Sequence, residues 1–391
     1  MSEKLIYFNL LSGFFFGNEN KSLTETGQLD WEYIYITADQ NFLIPVIAQS
    51  IQNNKEIDIP LSILENINNR NREIIASNLF KINELRNIQS LFKSDGIDSI
   101  ILKGPGLGES VYGDASIRQF GDLDILVKKS QVREAAEIIK NNGYEFSFDL
   151  TEEQKIIYEN SPLYLKDLEL HYPFYNPAKN INIELHWALM PEKYSFSQDV
   201  DELFNNSREI EIKEQTFNVL NNEDCLIFLS QHGAKHCWSM LLWIFDIAAL
   251  LNEKNNINWE LVIAKSEELN SKRSVLLSVY LANKLFSCEI PRILKYYFEA
   301  DKLVSVLGDI VVENYEKGYG YKKIEADNKK FFFRSMENPM DKFRYISALI
   351  FKPTIYELEF VALPKELSFL YYLIRPVRLI RKYISKVFPN N

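Results

Sequence analysis

Three hundred and ninety-one residues exceed what one ordinary core organises, so two or three domains are expected. A hydrophobic share of 46% beside 25% charged residues excludes global disorder, and the low Gly and Pro counts exclude collagen-like and low-complexity chains. A net charge of -10 argues against broad electrostatic capture of nucleic acid, though it leaves room for one local basic site.

The N-terminal MSEKLIYFNLLSGFFFG carries a short apolar stretch that recedes at Asn9 and Ser12, with no A-x-A cleavage site after it. It reads as a first helix packed on the body, with secretion as the alternative. Asp30 is placed to cap one helix over WEYIYITADQNFLIPVIAQSIQ, whose apolar residues recur by three and four. Ile63, Ile67, Ile74, Ile75, Leu79, Ile82, Leu85, Ile88 and Leu91 recur along one stripe and predict a long amphipathic helix that Gly96 stops. At 97 the texture changes. IDSIILKG predicts a strand ending at Lys103 and Gly104, with a short helix over 106–113 after it. DLDILV at 122–127 predicts a second strand, and Ser130 a cap for the helix that ends at Gly143. YEFSFD, DLELHYPFY and INIELHWAL predict further strands, the last two joined by the turn NPAKN. From about 220 the chain is helical again. No run reaches the roughly 18 apolar residues of a membrane span, and LLWIFDIAALL at 241–251 contains Asp246. Cys225, Cys237 and Cys288 read as buried thiols of a cytoplasmic protein. The expected class is α+β, divided into a helical region 1–95, a sheet-containing core 96–215, a helical bundle 216–310 and a C-terminal region 311–391.

The chemistry concentrates in the core. Asp122 and Asp124 stand two apart on a strand and therefore share a face. Paired carboxylates of this kind suit Mg²⁺, a hard ion that takes oxygen ligands, and two such ions promote in-line displacement at phosphorus. A lone D-x-D is common on edge strands, so its neighbours matter. Gly104 permits close backbone approach to a phosphate, a helix starting near Gly106 aims free N–H groups at an anion, and Lys103 adds a positive charge. Arg118 reads either as a phosphate ligand or as an ion-pair partner of the acids. Glu184, set between Ile183 and Leu185, is the expected third carboxylate, with Glu169 its rival. His186 shares its face, either contacting substrate or holding the carboxylate.

The order Leu102-Lys103-Gly104, then Arg118 with Asp122 and Asp124, then Gly143-Tyr144, then Glu184 to Trp187 resembles the bacterial uncharacterised nucleotidyltransferase family of the DNA polymerase β-type superfamily. The stretches DWEYIYITADQNFLIPVIAQ, QHGAKHCWSMLLWIFDIAALL and LYYLIRPVRLIRKY extend the likeness over most of the chain. The resemblance implies a polymerase β-like mixed sheet flanked by helices, with Asp122, Asp124 and Glu184 as metal ligands. It implies Mg²⁺ or Mn²⁺ as cofactor, and transfer of a nucleoside monophosphate from an NTP such as ATP to an acceptor it does not identify. Glu184 is the candidate base, while Lys103, Gly104, Arg118 and His186 line the nucleotide. Lys103-Gly104 stands where the superfamily usually has Gly-Ser, so the serine hydroxyl at the phosphate is missing. The acidic composition directs the acceptor towards a small molecule, sugar or peptide. Two alternatives stay open: a related transferase acting on a peptide or sugar-phosphate in a biosynthetic pathway, and a non-catalytic nucleotide-binding or toxin–antitoxin-type protein on the same scaffold.

His232 and His236 lie four apart on one helix face. They read as a core cluster with Asp246 or as part of an acceptor pocket, with Lys235 beside them. Over 365–391 six basic residues face one acid, Glu366. Arg375, Arg378, Lys382 and Lys386 share a helix face, expected to dock on the acidic body or a partner, with peripheral membrane contact as the alternative. Pro376 is placed to start that helix.

Overall fold

A computed structural model describes residues 29–53, 58–148, 151–160, 170–190, 198–252, 255–318 and 328–387. The N-terminal stretch read as a first helix lies outside these residues, as does Glu169.

The single helix expected over WEYIYITADQNFLIPVIAQSIQ is two, α1 (Trp31–Gln40) and α2 (Ile44–Asn53), because the chain turns at Phe42 with φ 62°; they precede the 34-residue α3 (Leu61–Ser94). Asp30 caps α1, its side chain accepting from the Tyr33 amide at 3.0 Å. Of the expected stripe, Ile67, Ile74, Ile82, Leu85 and Ile88 are buried along α3, Ile63, Ile75 and Leu91 are half-buried at its margin and Leu79 is exposed; Gly96 turns the chain with a left-handed φ of 71°.

Seven strands follow: β1 (Ser99–Ile101), β2 (Asp122–Val127), β3 (Glu145–Phe146), β4 (His171–Asn176), β5 (Ile181–His186), β6 (Arg208–Ile212) and β7 (Gln215–Val219). Their order in the sheet is β3-β4-β5-β2-β1-β7-β6. β2 runs parallel to β5 and β1 parallel to β7, while the remaining neighbours are antiparallel. The sheet is mixed, as the resemblance implied. β6 and β7 extend it to Val219, beyond the predicted core boundary at 215. Their hairpin turns through Lys213 and Glu214, both at positive φ, where Gly or Asn would have marked the turn.

Helices α4 (Val132–Asn141), α5 (Glu152–Asn160) and α6 (Val200–Asn205) connect the strands. Gln131, not Ser130, occupies the cap of α4. Alternation along the strands divides the sheet's faces. Ile101, Ile125 and Val127 pack with Leu85 and Ile88 of α3 and Ile139 of α4. Ile100 and Leu126 point the other way, into a second core shared with the helical bundle.

That bundle comprises α7 (Asn222–Lys235), α8 (Leu241–Leu250), α9 (Trp259–Glu268), α10 (Lys272–Phe286), α11 (Lys295–Ala300) and α12 (Leu303–Glu316). The chain reverses between α7 and α8 through Cys237 and Trp238, both left-handed. Trp238 folds back over Gly233, where a Cβ would come within 2.5 Å of the indole, so only glycine admits the ring.

The C-terminal region holds α13 (Asn328–Ser335), α14 (Pro339–Phe351), α15 (Ile355–Phe360) and α16 (Tyr371–Val387). Pro376 lies inside α16 rather than at its start, because a 3₁₀ turn over Lys365–Leu370 leads directly into a helix that begins at Tyr371. Arg375 and Arg378 turn inward to the fully buried Glu357, Arg375 at 3.2 Å, so this part of the basic face docks on its own chain. Leu373, Val377 and Ile380 remain exposed. Among the described residues no helix is long and apolar enough to cross a membrane.

Candidate active site

The site grows from strand register. Asp122, Asp124 and Leu126 alternate onto the sheet face that looks at the bundle. Parallel pairing sets Asp124 level with Glu184, and Asp122 level with Asn182. Antiparallel pairing sets His171 opposite His186. Three strands thus bring three carboxylates and two imidazoles onto one patch.

Asp124 is buried and accepts Lys103 Nζ at 3.0 Å and His186 Nε2 at 3.3 Å. His186 Nε2 also lies 3.2 Å from Glu184 Oε2, and His171 Nε2 3.7 Å from Glu184 Oε1. Burial works against charge on Asp124, but Lys103 and the His186 bond outweigh it and hold the carboxyl below its ordinary range. Glu184 is half-buried, which works against its charge, yet it is held well down by the His186 bond and the neighbouring rings. Such a weak proton acceptor suits a ligand better than the general base expected of it. Asp122 shifts the other way, raised by burial and by repulsion from Glu184 and Asp124. His186 pays a burial cost that its bonds to Asp124 and Glu184 more than offset, so its pKa rises.

Gly104 forms the turn after β1 with φ 56° and ψ -126°, a region open essentially to glycine. The turn leads into the short helical segment Pro105–Leu107 and a π-turn over Gly108–Tyr112. The loop after it is strapped to α3. Asn78 donates to the carbonyls of Ser116 and Arg118 at 2.7 and 3.1 Å, and Lys81 to that of Phe120 at 2.7 Å.

Arg118, 4% exposed, makes a two-pronged ion pair with Asp246 of α8 at 2.8 and 2.7 Å. Tyr112 donates to the same carboxylate at 2.6 Å. The ion-pair reading of Arg118 therefore finds its acid in the bundle, 128 residues away, rather than in Asp122 or Asp124. The pair joins the core to the bundle beneath the site.

The opposite wall comes from the end of α7 and from α8. His232 and His236 stack with each other and with Trp243, at ring-centroid distances of 4.9, 5.0 and 5.4 Å. Asp246 is committed to Arg118, so His232 and His236 do not cluster with it; both line the cavity. Burial, followed by the charge of Lys103, drives the His232 pKa well down; burial and Lys235 lower that of His236 to about 3. Between the walls lies a cavity of about 490 Å³, within the range of small-molecule sites. Asp122, Asp124, Glu184, Lys103, Gly104, Arg118 and His186 all border it, and so does Lys235.

All four histidines of the chain line this cavity. His171 was not singled out in the sequence. The tripeptide Glu-Leu-His occurs at 169–171 and again at 184–186, and two such strands paired antiparallel bring both rings together. Burial and the neighbouring His186 lower its pKa to about 4.

The donor set fits a divalent cation. Asp122 is crowded by two like charges, and His171, Glu184 and His186 place one ligand atom each within 4.8 Å of one another. Residues 27–287, about two thirds of the chain, match the family model described as uncharacterised nucleotidyltransferase. No curated protein and no solved structure matches the chain.

Proposed function

The chain belongs to the uncharacterised nucleotidyltransferase family, and from that premise we propose that it moves a nucleoside monophosphate from an NTP to a small hydroxyl- or phosphate-bearing acceptor, a sugar or peptide included. The observation that carries this reading is the register of Asp124 with Glu184 on adjacent parallel strands, with Asp122 on the same face above a cavity of substrate size. Asp122, Asp124 and Glu184 are the residues that would hold Mg²⁺ or Mn²⁺. A divalent ion there supplies neutralisation of the triphosphate and acidifies the acceptor.

The protein's own groups supply the rest. Gly104 lets the backbone approach the phosphates, and Lys103, already 3.0 Å from Asp124, offers its ammonium to them. The acceptor oxygen bonds to the α-phosphorus as the bond to pyrophosphate breaks, and the acceptor proton leaves to solvent. Arg118, tied to Asp246, keeps the phosphate loop and the bundle wall in one arrangement. Trp243 and the neutral His232 and His236 form the acceptor's wall.

Calorimetric titration of each NTP tests the reading, in Mg²⁺ and in EDTA, on the wild type and on Asp122→Asn/Asp124→Asn. Binding that needs the metal and disappears in the double variant is expected. Equal binding in EDTA, or binding retained by a folded double variant, would favour the non-catalytic scaffold.

A further inference from the structure

We propose that His171, Glu184 and His186 form a nitrogen-ligated site for a divalent first-row transition-metal ion, beside the Asp122 and Asp124 carboxylates. The inference rests on the reading of this cavity as a metal-dependent site, and it names which class of ion part of the cavity selects.

Spacing is the first ground. His186 Nε2 stands 3.2 Å from one oxygen of Glu184, and His171 Nε2 stands 3.7 Å from the other. Donors that share an ion at about 2.0–2.2 Å each are separated by roughly 3.0–3.5 Å at octahedral or tetrahedral angles. The observed separations are close to the edges of such a polyhedron.

The second ground is that a proton serves this arrangement poorly. One Nε2–H of His186 faces two carboxylates, Asp124 at 3.3 Å and Glu184 at 3.2 Å. Both separations exceed the roughly 2.7–2.9 Å of a good charge-assisted bond. An ion in the proton's place engages both acids and the second ring at once.

Charge partition is the third. Asp124 already has a lysine, Lys103. The ion pairs of Glu184 among the described residues are with imidazoles alone. Its two oxygens face His171 and His186, so Glu184 belongs as much to the rings as to the aspartates. Imidazole binds cobalt, zinc and manganese ahead of magnesium, which keeps to oxygen and water.

The test uses the untagged full chain. Co²⁺ is titrated and followed by its visible absorption, and Mn²⁺ by pulsed electron paramagnetic resonance, which detects ¹⁴N coupling from a bound imidazole. One equivalent of Co²⁺ and a clear ¹⁴N coupling are expected. His171→Ala and His186→Ala should each weaken Co²⁺ binding by at least about 10–100-fold, the range reached when a ligand's outer partner alone is lost. Asp122→Asn should keep the ¹⁴N coupling. His232→Ala should leave the Co²⁺ affinity and the ¹⁴N coupling unchanged, which separates this site from the histidine pair across the cavity. Absence of ¹⁴N coupling, or loss of it in His232→Ala with retention in a folded His171→Ala, overturns the proposal. The two readings fail separately. Mg²⁺-dependent NTP binding without nitrogen ligation removes this site and leaves nucleotidyl transfer standing. A nitrogen-ligated ion in a protein that binds no NTP does the reverse.

Discussion

His186 on the sheet wall of the cavity and His232 and His236 on the helical wall are shifted in opposite directions by the neighbours each wall supplies. On the sheet, Asp124 and Glu184 flank His186 and raise its pKa, while burial and His186 itself lower that of the adjacent His171. On the bundle, desolvation and the charges of Lys103 and Lys235 lower the pKa of His232 and His236, and Glu184 offsets only part of this at His236. The contrast teaches that backbone placement, through which neighbours it supplies, sets the chemistry of an imidazole here.

The comparison depends first on the seam that holds the walls opposite each other. Asp246→Asn leaves Arg118 buried without its counter-charge, and an unfolding free energy lower by about 3–5 kcal/mol is expected in urea titration. The pair Arg118→Met/Asp246→Leu should recover most of that loss, since neither charge then remains. Full stability in Asp246→Asn would show that the walls do not rely on this pair.

A pH series examines the walls themselves. His171, with a folded value of about 4, and His236, at about 3, both start from 6.5 in the unfolded chain. Below pH 6.5 the unfolded state takes up protons that the folded state refuses, so stability falls as the pH drops towards those values. Each ring contributes up to about 1.4 kcal/mol per pH unit. His186, whose value is raised, acts oppositely: its contribution is complete below 6.5 and lost as the pH climbs through its folded value. Urea midpoints measured between pH 7 and 5 should therefore slope downward towards acid, and His236→Asn should flatten the slope. An unchanged slope in that variant would break the contrast between the walls.

The smallest effect isolates the helix that carries the neutral wall. Asn221 caps α7, accepting from the Asp224 amide at 2.8 Å. Asn221→Ala should cost about 1 kcal/mol in the same assay. Because the cap is at the far end of α7 from His232 and His236, the acid slope should not change.

Much of the sheet wall was legible in the sequence, because its signals are local. The alternation in DLDILV places Asp122 with Asp124, and that in INIELHW places Glu184 with His186, before any tertiary contact is known; that the two sets share one face follows only from the pairing of β2 with β5. The other wall was legible only as a spacing, His232 to His236. What faced it depended on contacts distant in the chain: Arg118 chose Asp246 over the nearer acids, and His171 met His186 only through strand pairing. The β6–β7 hairpin escaped notice because Lys213 and Glu214 adopt backbone angles that their side chains do not advertise. The inward turn of Arg375 and Arg378 likewise needed Glu357, a buried acid that the tail itself does not contain.

The strand order has a consequence for how the protein can be divided. β1 lies between β2 and β7, and all three of its residues are buried. A fragment that ends before Gln215 would contain every carboxylate of the site yet leave Ser99–Ile101 as an open, apolar sheet edge. Such an edge pairs readily with another chain. The acids of the site therefore cannot be isolated on the shortest piece that encodes them, and any separable core must run on through Val219 to close the strand that leads into the Gly104 turn.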